Sequence, residues 1–234
     1  MSFGQTFRAA FAVVLVFAVG SWVNADLVIN EIRVDQPAAD NDEYFELFAD
    51  GMNFDLSTFT YIVIGDGAGG SGVLESVTGL SGTLNAGEFL LVAESSFTQG
   101  TADVTASLNF ENSDNVTHLL VEGYDGTALQ TDLDTDDDGV LDVTPWTSVI
   151  DSIALLEEVG AGDLVYSPNT IGPDGTFVPA HVFRDIDGTS GTFQIGNFGD
   201  FDLDTPGSSN VAIPEPSSFA ILAAAGLIAV RRRR

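Results

Sequence analysis

The chain has 234 residues, with 35 acidic side chains against 7 basic ones, no cysteine and a pI near 4.1. All the acids but Glu215 lie between Asp26 and Val211, a stretch whose only bases are Arg33 and Arg184, so this body holds 34 acids against 2 bases and a formal net charge of −32. That sign excludes nucleic acid as a partner, since phosphate needs a basic surface, and the lack of thiols excludes disulfide staples and cysteine chemistry.

At the start, Arg8 precedes an apolar run, Ala9 to Val19, and the small-residue site Val23-Asn24-Ala25. This is the layout of a secretory signal peptide over residues 1–25, with cleavage expected between Ala25 and Asp26. The remaining body, about residues 26–211, suits one domain with its own core. Short apolar runs alternate there with Gly, Asn, Asp and Ser clusters, the pattern of a sheet protein. Seven strands are expected: Leu27–Ile32, Tyr44–Phe48, Phe59–Ile64, Phe89–Ala93, Val116–Val121, Val149–Leu155 and Ala180–Arg184. Phe45 and Leu47 alternate with Tyr44, Glu46 and Phe48, so one face meets a core. The fold class read from this is all-β, two facing sheets in a sandwich. Gly65-Asp66-Gly67 and Gly69 to Gly72 read as tight turns and a flexible loop, and Ala154 to Val159 as room for one helical turn.

The strongest local constellation falls in a segment at about residues 123–148, around Asp132, Asp134, Asp136, Asp138, Val140 and Asp142. Counting from Asp134, carboxylates stand at positions 1, 3, 5 and 9, Gly139 at 6 and the Val140 carbonyl at 7. Alternating hard oxygen donors around a glycine turn suit Ca²⁺. Pro145 stands where an EF-hand places its bidentate Glu, so a helix-loop-helix site is not expected; the segment looks more like the aspartate-rich loops of thrombospondin type 3 repeats. The alternation of Asp200, Asp202 and Asp204 reads as the wet side of a strand. His118 and His181, the two histidines, read as structural or exposed, and no Gly-x-Ser-x-Gly elbow accompanies them. A catalytic set does not emerge, so a non-enzymatic protein is expected, with an extracellular calcium-dependent hydrolase as the alternative.

The chain closes with Pro214, Glu215 and Pro216, an apolar run from Phe219 to Val230 and Arg231 to Arg234. The run is short for a bilayer span, which takes about 20 apolar residues, and the arginines hold the end on the cytoplasmic side. Residues 212–234 resemble the PEP-CTERM sorting signal of exported bacterial proteins. The resemblance implies a short sorting helix with transient membrane insertion, processing by an exosortase-type enzyme, and release or attachment at the cell envelope, cell surface or extracellular matrix.

Within the body, Ile29-Asn30-Glu31-Ile32, Asp42 to Leu47, Asp55-Leu56-Ser57, Leu84 to Leu91, Asn112 to Val116 and Asp204 to Asn210 follow one another as the motifs of a lamin-tail domain do. This resemblance implies an immunoglobulin-like β-sandwich used as a surface or interaction module, with the acidic segment as an insertion. The expectation is therefore a calcium-stabilised binding or structural module, with surface polysaccharide or other copies of itself as partners.

Overall fold

A computed structural model describes residues 26–160 and 163–210. The signal-peptide reading up to Ala25 and the sorting motif Pro214, Glu215 and Pro216 lie outside the described residues, while Asp26 opens the first strand. In chain order the strands are β1 (Asp26–Arg33), β2 (Tyr44–Asp50), β3 (Phe54–Asp55), β4 (Phe59–Gly67), β5 (Gly70–Gly79), β6 (Thr83–Leu84), β7 (Phe89–Ala93), β8 (Val104–Thr105), β9 (Val116–Glu122), β10 (Ser148–Leu155), β11 (Thr170–Ile171), β12 (His181–Arg184) and β13 (Phe193–Ile195). The one helical element among the described residues is a 3-10 turn, Leu56–Thr58, whose first N–H groups are capped by the Asp55 side chain accepting from Ser57 N at 3.0 Å. No helix among the described residues is long and apolar enough to cross a membrane.

A six-stranded sheet, β13-β12-β1-β2-β7-β8, faces a five-stranded one, β11-β10-β9-β4-β5, and β3 pairs with β6 apart from both. Most neighbours are antiparallel; the short edge strands β8 and β11 run parallel to β7 and β10. The core between the sheets takes Leu27, Ile29, Ile32, Phe45 and Leu47 from one side and Tyr61, Val63, Leu120, Ile153 and Leu155 from the other. Each such side chain, fully buried, contributes about 1.5–3 kcal/mol. Phe45 and Tyr61 stack across the layers with ring centroids 3.7 Å apart, and the Tyr61 hydroxyl meets His118 Nδ1 at 2.9 Å. His118 is thus a neutral core residue, its pKa pushed down to about 3 by burial.

The period-2 alternation of β2 is present, but both of its faces are covered. Phe45 and Leu47 enter the core, while Tyr44 packs with Leu91, Ala93 and Phe97 on the opposite face, where Glu46 is also buried. Three local expectations are corrected. Gly65-Asp66-Gly67 close β4 and Gly70 to Gly79 form the ten-residue strand β5, not a tight turn and a flexible loop, because the two strands pair along the whole length of β5. Residues 154–155 belong to β10 and no helical turn follows, since the Ala154 and Leu156 N–H groups donate to Asn169 and Ile171 carbonyls across a strand pair. Residues 200–204 are not a strand; Asp204 is turned inward by Arg33.

Candidate functional site

The acidic insertion lies along the free edge and outer face of the five-stranded sheet. Backbone bonds from Leu74 N to Thr131 O (3.0 Å), Gln130 N to Leu74 O (2.8 Å) and Leu133 N to Gly72 O (2.9 Å) pair it with the upper half of β5. That pairing occupies edge groups which would otherwise be open to another chain. Leu133 is buried against Ile62, Ile64, Leu74, Leu119 and Val121, and Leu141, Trp146 and Tyr166 pack around them. A segment that is locally polar therefore has an apolar underside, which fixes its place on the sheet.

The glycines of the β4–β5 hairpin give the aspartates room. A Cβ on Gly69 would stand 2.6 Å from an Asp132 carboxylate oxygen, one on Gly70 2.5 Å from that of Asp137, and one on Gly72 2.7 Å from the Asp134 Cβ. Gly70 and Gly72 also hold φ of +115° and +92°, open to glycine and strained for other residues. The glycine run is therefore the surface on which the aspartate loop rests, a role its composition alone does not disclose.

Asp134 is wholly buried and organises the loop. One of its oxygens accepts from Asp138 N at 3.3 Å, and the other accepts from Gly139 N and from the Tyr166 hydroxyl, both at 2.9 Å. Asp137 Oδ1 accepts from Ser71 N at 3.0 Å, tying the loop to β5. Asp134, Asp136 and Asp138 each bring a carboxylate oxygen to within 4.8 Å of the others. Asp136 is fully exposed, yet its pKa is raised, first by the charge of Asp138 and then by slight burial, Asp142 and Asp134. The bonds of the Asp132 and Asp142 carboxylates and of the Val140 N–H stay within the loop. Asp132 Oδ1 accepts from Asp134 N, Asp142 Oδ2 accepts from Thr135 N at 2.9 Å, and Val140 is 67 % exposed with its N–H donated to Asp138 Oδ1.

Two further acidic groups were not visible as motifs because their members come from distant segments. Asp114, Glu157 and Asp163 converge near Asp66, and burial together with mutual charge raises the pKa of Asp114 and Asp163. Glu75, beside them, is pushed up to about 7 by burial and then by Glu111, Asp114 and Asp66. On the opposite sheet, Glu31, His181 and Asp204 form a buried trio with Arg33 and Tyr44. Glu31 Oε1 meets His181 Nε2 at 2.7 Å and accepts from Thr205 N at 2.9 Å, while Arg33 makes a two-pronged pair with Asp204. Together with Gly207 N on Glu46 and Asn210 Nδ2 on the Arg184 carbonyl, these bonds strap residues 204–210 across the outer face of the six-stranded sheet. Glu46, deep under that strap, has its pKa raised to about 9, chiefly by burial.

The strap ends at Asn210, two residues before the segment that carries the sorting signal. Residues 212–234 match the family model of the PEP-CTERM protein-sorting motif. Comparison with curated proteins and with solved structures found no match. A β-rich body followed by this motif is the make-up of an exported protein sorted to the cell envelope or surface, and the motif points to an exosortase-type enzyme as the processing partner.

Proposed function

We propose that this chain is a non-enzymatic surface or extracellular-matrix module, lamin-tail-like in its motif order, whose acidic insertion is stiffened by Ca²⁺ and which binds surface polysaccharide or further copies of itself. The observation that carries the reading is the convergence of Asp134, Asp136 and Asp138 in a loop that rests on the glycine hairpin through Asp132, Asp134 and Asp137. A carboxylate offers about four lone-pair sites, so Asp134 retains capacity for a cation while it accepts from the loop backbone. The charge of Asp138 on exposed Asp136 is what a divalent ion would neutralise. With three carboxylates and the Val140 carbonyl as donors, an affinity of about 10⁻⁴–10⁻³ M, the range of extracellular modules, is expected. Isothermal titration of the purified protein tests it. Uptake of about one Ca²⁺ that disappears in Asp136→Asn/Asp138→Asn supports the site, and equal uptake in both proteins, or none in either, removes it.

A further inference from the structure

A cleft of about 680 Å³ is lined by residues of both sheets, a volume within the about 300–1,000 Å³ usual for sites that enclose small ligands. Its walls come from β1, β10, the approach to β11, and β12–β13. At its base Arg184 is spent: its guanidinium donates to the Ile29 carbonyl (2.8 Å), the Gly191 carbonyl (2.7 Å) and Asp151 Oδ2 (2.8 Å), and it lies 4.3 Å over the ring of Phe193. Asp151 in turn accepts from Ile29 N and Ser152 N. The Thr189 and Thr192 hydroxyls are given to Asp50 and Asp185. Among the lining side-chain groups, those that make no hydrogen bond to another described residue are the Asp26 carboxylate, the Asn169 side-chain carbonyl and the Thr170 hydroxyl. Beside them lie the apolar side chains of Val28, Ile150 and Ile171.

We infer that this cleft is a binding site for a neutral sugar residue of a polysaccharide. The free polar groups are mostly acceptors, so the ligand must bring hydrogen-bond donors. No side-chain cation of the cleft is uncommitted, and an anionic ligand meets a body of net charge −32. A sugar hydroxyl donating to a carboxylate makes a charge-assisted bond, and the C–H face of a pyranose suits the aliphatic wall. The inference rests on the reading of the chain as an exported binding module and gives that module a location for its ligand, lined by none of the residues of the acidic insertion.

Affinity electrophoresis of the full chain tests it, in gels cast with dextran, starch or galactomannan as neutral polymers and alginate as an acidic one. The expected result is retardation by at least one neutral polymer that weakens about five- to tenfold in Thr170→Val, the loss of one ligand hydrogen bond. Thr170 is exposed, so that substitution leaves the fold intact; Ile150→Trp, which narrows the mouth, is the second variant and abolishes retardation. Retardation equal in native protein and both variants overturns the cleft while leaving a polysaccharide-binding module in place. Retardation by alginate alone, or by none of the polymers, overturns it as well. The Asp136→Asn/Asp138→Asn variant keeps its retardation, so loss of the calcium site and loss of the sugar site read out separately.

Discussion

Gly72→Ala probes how the acidic insertion is held. A methyl group at this position stands 2.7 Å from the Asp134 Cβ and 2.9 Å from the Asp134 backbone nitrogen, so the loop backbone itself must move. Overpacking of this kind costs about 1–3 kcal/mol, and a non-glycine residue held at a φ of +92° costs about 1–3 kcal/mol more. Together these are a large share of a typical total stability of about 5–15 kcal/mol. Gly79→Ala in the same strand is the control, because no atom lies within 4 Å of its added methyl group and its φ is outside the left-handed region; there a change within about 1 kcal/mol, toward stabilisation, is expected. In protein lacking residues 1–25, Trp146 is the only tryptophan, and it packs beneath the insertion. Urea unfolding followed by Trp146 fluorescence therefore reads the loop and the fold together. If Gly72→Ala unfolds at the same urea concentration as Gly79→Ala, the insertion does not rest on the hairpin and the reasoning fails.

Three other outcomes are expected. With chelator present, melting temperature rises by more than about 5 °C as pH falls from 9 to 5. The sign follows because the folded pKa values of Glu46 (about 9), Glu43 (about 8) and Glu75 (about 7) lie above the usual 4.5, so their stabilisation is complete below 4.5 and lost as pH rises through the folded values. His118, lowered to about 3 from 6.5, works against the gain below 6.5; Glu46→Gln flattens the alkaline limb, and a pH-independent melting curve contradicts the buried acids. Arg184→Met strands the Asp151 carboxylate at the base of the cleft and costs about 3–5 kcal/mol by urea unfolding; a loss under 1 kcal/mol means the pair is not structural. Replacing Pro214, Glu215 and Pro216 together by alanine leaves a full-length precursor in immunoblots of the producing cells, where the native chain yields a shorter form; identical processing of both speaks against the motif as the recognition element.

β2, β4 and β9 were readable as short apolar runs bounded by turn residues, the mark of strands that are covered on both faces. β5 escaped because its first glycines resemble turn punctuation, and their pairing with β4 and close approach to Asp134 and Asp137, more than sixty residues away, leave no mark in the local sequence. The aspartate spacing from Asp134 to Asp138 was visible for the opposite reason, being wholly local. The Glu31–His181–Asp204 trio spans most of the body and leaves no local trace. Asp204 illustrates the cost of that. Its alternation with Asp200 and Asp202 suggests solvent, yet Arg33, one of two cations for 34 acids, draws it inside.

A crystal structure of the mature chain grown in millimolar Ca²⁺ gives the most direct test of the account. It predicts an ion bound by Asp134, Asp136, Asp138 and the Val140 carbonyl, with the loop seated against Gly70 and Gly72. An ion-free aspartate loop in well-ordered density at saturating Ca²⁺ contradicts it.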